Sequence, residues 1–150
     1  MIRGAFAHLP GIGPERLRRL HEAGVQDWRV LLEHPGVLRM GPRGMARLQD
    51  AVDRCEKAVQ GDDIAYLASR FKQQDRWRVL GTWFEQATFF DIETSGLERD
   101  SEVTLVACLH RGRLHSFLKG ESLDDFLDLL DDVDLLVSFN GTSFDVPRVE

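Results

Sequence analysis

The stretch that decides the fold is FFDIETSGL, residues 89–97. It runs from an aromatic pair into two carboxylates two positions apart, Asp91 and Glu93, and then into a Thr-Ser-Gly turn signal. In an extended strand alternate side chains share a face, which puts Asp91 and Glu93 on one side, about 7 Å apart along the chain. Two anions side by side near a core are costly, because desolvation and like-charge repulsion add. No Lys or Arg occurs between Val79 and Glu98 to neutralise them locally. A positive group from elsewhere is therefore expected at this strand end.

Downstream, the pattern is strand, strand, strand, helix, strand. ATFFDIE (87–93) is the first strand. EVTLVACLH (102–110) is β-branched and continuously apolar, which predicts a strand buried on both faces. RLHSFLK (113–119) alternates and pairs with it through the RGR turn. SLDDFLDLLDDV (122–133) reads as an amphipathic helix with Ser122 as its cap and Asp125 three residues on. Leu123, Phe126, Leu127 and Leu130 form its apolar stripe, and its aspartates a solvated face. DLLVSFN (134–140) is the fourth strand, and DVPRVE (145–150) opens a further helix. This order resembles the opening half of a ribonuclease-H-like α/β fold, so an incomplete mixed sheet uncovered on one side is expected.

Upstream, the chain reads as a small all-helical unit over 1–75, with the α/β unit taking 76–150. GPERLRRLHEAG places Pro14 at a helix start and Gly24 just past its end. VQDWRVLLEHPG follows with Trp28, Leu31 and Leu32 as its stripe. PRGMARLQDAVDRCEKAV has Met45, Leu48 and Val52 on one face, and DDIAYLASRF gives a fourth helix. Trp77 and Trp83, either side of the lead-in to the first strand, are expected as packing anchors.

Composition bounds the function. In 150 residues, 43% hydrophobic and 29% charged content describes a globular chain with a core and no membrane-spanning run. The start, MIRGAFAHLPGIG, has neither an apolar signal core nor a small-residue cleavage site, so a cytoplasmic location is expected. Cys55 and Cys108 have no metal-ligand spacing and read as free thiols. The five histidines show no ligand spacing either. The net charge of −6 hides an asymmetry: residues 1–60 carry ten Lys/Arg against seven Asp/Glu, the rest nine against eighteen.

SFNGTSFDVP, residues 138–147, supplies a third carboxylate, Asp145, after an apolar strand and a Gly turn. Ligands gather outside the C-terminal ends of strands in open α/β sheets. If this strand lies beside the first, three carboxylates converge, and hard oxygen donors of this kind suit Mg²⁺ or Mn²⁺. Two such ions about 3.5–4 Å apart activate water and stabilise the leaving oxygen in phosphodiester cleavage.

FFDIETSGL resembles the first motif of the DEDD 3′–5′ exonucleases, and FNGTSFDVP their second. With the DRWRV lead-in and the helical start, the chain resembles the YprB-like ribonuclease-H-like exonuclease family. The resemblance implies that Asp91 bridges two metal ions, that Glu93 binds the one holding the attacking water, and that Asp145 serves the second. It further implies that Thr94, Gly96, Leu97 and Phe144 lie near the terminal nucleotide, with Asn140 ordering the loop. The family also uses a fourth carboxylate in a third motif, preceded by Tyr or His, and none follows Asp145 before Glu150. The 150 residues are accordingly expected to be a nearly inert amino-terminal portion of a metal-dependent nuclease acting on DNA or RNA.

HLPGIGPERLRRL, residues 8–20, resembles the hairpin of helix-hairpin-helix modules. There Gly11 and Gly13 would let backbone N–H groups approach a phosphate, with Arg16, Arg18 and Arg19 adding charge. The bland alternative is a Gly-Pro turn between packed helices. A competing reading of the whole chain is a non-enzymatic nucleic-acid-binding module with a vestigial nuclease-like half. A third is a structural helical adaptor.

Overall fold

The computed structural model describes residues 1–96, 98, 101–139, 141, 144, 145 and 147. The chain divides into two compact units, Met1–Thr82 and Trp83–Glu150. The division falls later than residue 76 because Trp77–Thr82 forms a helix, α5, which packs against the 3-10 turns Ile2–Gly4 and Gln73–Asp75.

The first unit is helical: α1 (Pro14–Glu22), α2 (Trp28–Glu33), α3 (Pro42–Gln60), α4 (Ile64–Arg70) and α5. Local chemistry sets the boundaries. Pro14 and Pro42 occupy first-turn positions, where a missing N–H costs nothing. Asp27 and Asp63 cap α2 and α4, accepting hydrogen bonds from Arg29 N at 2.8 Å and Tyr66 N at 2.9 Å. Gly24, with φ of +69°, turns the chain out of α1. Trp28, Leu31, Leu48 and Val52 are buried as expected, while Leu32 and Met45 sit at the margin. Trp28 is wholly enclosed, and its indole N–H donates to Ala5 O at 2.6 Å.

His8 packs in this core, its ring 4.4 Å from Phe71 and 5.8 Å from Trp28 between centroids. Burial pushes its pKa down from 6.5 to about 4, with Asp75 opposing only in part. The unfolded chain takes up a proton near pH 6.5 that the folded chain refuses until about pH 4. Stability is therefore full above pH 6.5 and falls between 6.5 and 4. The loss expected from His8 is on the order of 3 kcal/mol. Urea melts across that pH range check it: His8→Phe should flatten the slope.

The second unit holds β1 (Thr88–Thr94), β2 (Val103–His110), β3 (Arg113–Leu118), α6 (Leu123–Leu130) and β4 (Leu136–Val137). The sheet order is β3-β2-β1-β4, with β1–β2 and β2–β3 antiparallel and β1–β4 parallel. Arg111 and Gly112, at φ of +48° and +75°, make the tight turn between β2 and β3. This is the mixed α/β sheet preceded by helices that the sequence predicted. Phe90, Ile92, Val106, Cys108 and Phe117 line one face and meet Phe126 of α6. Both cysteines are free and buried.

Four local expectations need correction. β2 is buried on one face only: Val106 and Cys108 are enclosed, but Leu109 is 42% exposed. A continuous apolar run does not reveal which side is covered. Ser122 stands at the start of α6, yet its Oγ accepts from Leu118 N at 3.2 Å rather than capping the helix. Leu127 is 52% exposed, and Leu129 packs on the core in its place. Trp77 is no packing anchor: it is exposed, with the Arg78 guanidinium over its ring at 4.6 Å. Trp83 is buried.

Candidate functional site

β1 is a central strand, flanked by β2 and β4. Phe90 and Ile92 anchor it in the core, so the intervening Asp91 and Glu93 face the other way and are exposed. Asp91 stands opposite Ala107 and Glu93 opposite Leu105. Neither neighbour carries charge. Among the described residues neither carboxylate has an ion pair or a side-chain hydrogen bond. The pairing register slips between Glu93 and Thr94, where β1 leaves the ladder.

The turn that follows is tightly held. Thr94 Oγ1 donates to Gly96 O at 2.6 Å, and Thr104 Oγ1 to Glu93 O at 3.1 Å. Ser95 N donates to Glu102 O at 2.9 Å, and Glu102 N donates back to Ser95 Oγ at 3.1 Å. A Cβ at Gly96 would come within 2.9 Å of Ser101 Oγ, so a larger residue there would need the serine side chain to shift. These contacts fix the end of β1 and so the direction of Glu93.

Asp145 differs from the pair on β1. It is 1% exposed, and its Oδ2 is buried with no hydrogen-bond partner among the described residues. An unsatisfied buried carboxylate oxygen is costly and points to a group that would complete it. Phe144, beside it, packs against the sheet core. Leu97 and Asn140 lie outside the described residues, as does most of the helix expected over 145–150.

Three carboxylates with no protein cation suit a hard divalent ion by donor chemistry. Among the described residues, however, no group of three or more His, Cys, Asp or Glu side chains is gathered closely enough to hold a metal. The arrangement is an unpaired couple on β1 and a separate buried acid.

The hairpin of the helical unit has a different outcome. Gly11, at φ of +79°, is conformationally required, and a Cβ there would meet Met40 at 2.8 Å. Gly13 precedes α1 in open space, with nothing within 4 Å of a Cβ. Arg16 is turned inward, donating from Nε to Leu38 O at 2.9 Å and from Nη1 to Gly11 O at 2.8 Å. Arg18 pairs with Glu15 and Glu22, and Arg19 with Glu15. The hairpin cations are thus engaged within the chain. Sequence reading missed the Arg16 contacts because their carbonyls come from the turn and from the segment after α2, whereas the Arg18 and Arg19 pairs lie within α1 itself.

The four-stranded mixed sheet preceded by helices is consistent with a ribonuclease-H-like fold. Residues 88–150 match the family model of the RNase_H superfamily, which supports a ribonuclease-H-like domain in this stretch. At the level of that superfamily, the match suggests a nuclease-type hydrolase acting on nucleic acid, commonly with divalent metal. No curated protein and no solved structure matches the chain. Among the described residues no helix is long and apolar enough to cross a membrane.

Proposed function

We propose that residues 83–150 are the metal-binding portion of a DEDD-type 3′–5′ exonuclease, cleaving phosphodiester bonds from the 3′ end of DNA or RNA. One observation carries the reading: Asp91 and Glu93 project from the end of a central strand, with no ion-pair partner among the described residues. Asp91 and Glu93 would hold Mg²⁺ or Mn²⁺, and Asp145, separate from them in the structure, would add a third donor only by moving to meet the bound ion. Such an ion, when bound, lowers the pKa of water and stabilises charge on the departing oxygen. The chain's own part is positional. The Thr94 and Thr104 hydrogen bonds hold the carboxylate-bearing strand end, and Phe144 packs on the core beside Asp145.

Three carboxylates repay the dehydration of a divalent ion less well than four. The 150 residues are therefore expected to bind metal while hydrolysing substrate slowly, and a chain carrying a fourth carboxylate to cleave efficiently. A 5′-labelled oligonucleotide incubated with each protein tests this. The expected result is a ladder of 3′-shortened products from the four-carboxylate chain, present with Mg²⁺ or Mn²⁺ and absent with chelator. Chelator-resistant cleavage by either protein contradicts the metal mechanism.

A further inference from the structure

The helical unit contains a pocket of about 330 Å³ between α3, α4 and the loop before α1. Its volume lies at the small end of ligand sites. The helical period explains the lining: Arg47, Asp50, Arg54 and Cys55 fall on one face of α3, and Tyr66 and Arg70 one turn apart on α4. His8 completes the wall.

The charges do not cancel. Asp50 pairs with Arg54. Arg70 lies over the Tyr66 ring, 5.4 Å from its centroid, and Arg47 has no ion pair among the described residues. Among the described residues, two guanidinium groups in the wall, Arg47 and Arg70, have no carboxylate partner. They differ in this from Arg16, Arg18 and Arg19 of the hairpin, all of which are engaged.

The His8–Cys55 couple adds a polar group rather than a nucleophile. Its Nε2 and Sγ are 3.5 Å apart. Burial holds the thiol pKa up at about 11 and the imidazole down at about 4, so neither ionises near neutrality. Nδ1, on the other edge of the imidazole, is buried with no hydrogen-bond partner among the described residues.

We propose that this pocket binds a phosphate monoester of nucleotide size, with Arg47 and Arg70 as its principal anchors. A planar guanidinium matches phosphate oxygens bidentately. A phosphomonoester, at about −1.5 to −2 near neutral pH, balances two free arginines where a single carboxylate or diester does not. Free mononucleotide and the terminal phosphate of a nucleic acid present the same group.

The test is calorimetric titration of the full chain in chelator at low salt. The probes are a 5′-mononucleotide and a short oligonucleotide with or without its 5′-phosphate. Mononucleotide binding is expected, with a change in the His8 ring ¹⁵N shifts. It should fall about tenfold in each of Arg47→Gln and Arg70→Gln. Both positions are exposed, so these variants should keep the wild-type melting temperature. Lys72→Gln, the same charge change on an exposed residue outside the pocket, should bind as wild type. A preference for the 5′-phosphorylated oligonucleotide over free mononucleotide identifies a polymer end as the source, and the reverse a free nucleotide. No mononucleotide binding, or binding that survives the Arg47→Gln/Arg70→Gln double variant, overturns the proposal. With metal sequestered and no residue shared with β1, its failure would be separate from that of the exonuclease reading.

Discussion

Replacing Phe126 with Ala is expected to cost about 3–5 kcal/mol and to unfold much of the sheet unit. Phe126 is 1% exposed, with its ring 5.9 Å from Phe90 and 5.5 Å from Phe117 between centroids. It is the residue by which α6 covers the buried face of β1, β2 and β3. A helix of eight residues has little stability of its own, so α6 is held by this contact rather than by propensity. The total stability of so small a unit is on the order of 5 kcal/mol, which leaves no margin for such a cavity. Hydrogen exchange provides the readout. Protection in β2 and β3 should vanish in the variant, while unaltered protection of Val106 and Phe117 would place the core elsewhere.

Asp145→Asn is expected to act in the opposite direction. The substitution keeps the shape and removes the charge. In chelator, the wild-type chain bears the desolvation cost of a buried oxygen with no partner among the described residues. Asn lowers that cost, and the gain expected is about 1–3 kcal/mol, seen as a higher melting temperature. With Mn²⁺ present the order should reverse, because only the wild type gains stability from binding the ion. A residue that weakens the resting fold and strengthens the loaded one is serving a ligand. If Asn destabilises in chelator, Asp145 is an ordinary structural acid.

Much of the fold was legible because it rests on periodicity. The alternation of Phe90 and Ile92 with Asp91 and Glu93 sets both the core face and the acidic face of β1. Gly and Pro punctuation marks α1 and α3 closely. What escaped was decided by tertiary contact. α5 contains Gly81 and lacks a strong helical pattern, yet it forms against neighbouring turns. β2 reads as doubly buried because its sequence carries no sign of which layer is present. The acids of the candidate site were visible as types and positions. The contrast between an exposed pair and a buried Asp145 was not, since burial is set by how the segment after β4 packs. The α3–α4 pocket had no local signal, because His8 meets Cys55 across 47 residues of chain.

The central proposal is that Asp91, Glu93 and Asp145, which the structure does not gather into one cluster, are drawn together by one divalent ion when it binds. Mn²⁺ titration followed by electron paramagnetic resonance tests it most directly, on the wild-type chain, Asp91→Asn and Asp145→Asn. The account predicts a saturable Mn²⁺ site in the wild type, weakened about tenfold or more by either substitution, as loss of an anionic ligand requires. A wild-type chain that binds no Mn²⁺, or one whose binding is indifferent to Asp145→Asn, would contradict it.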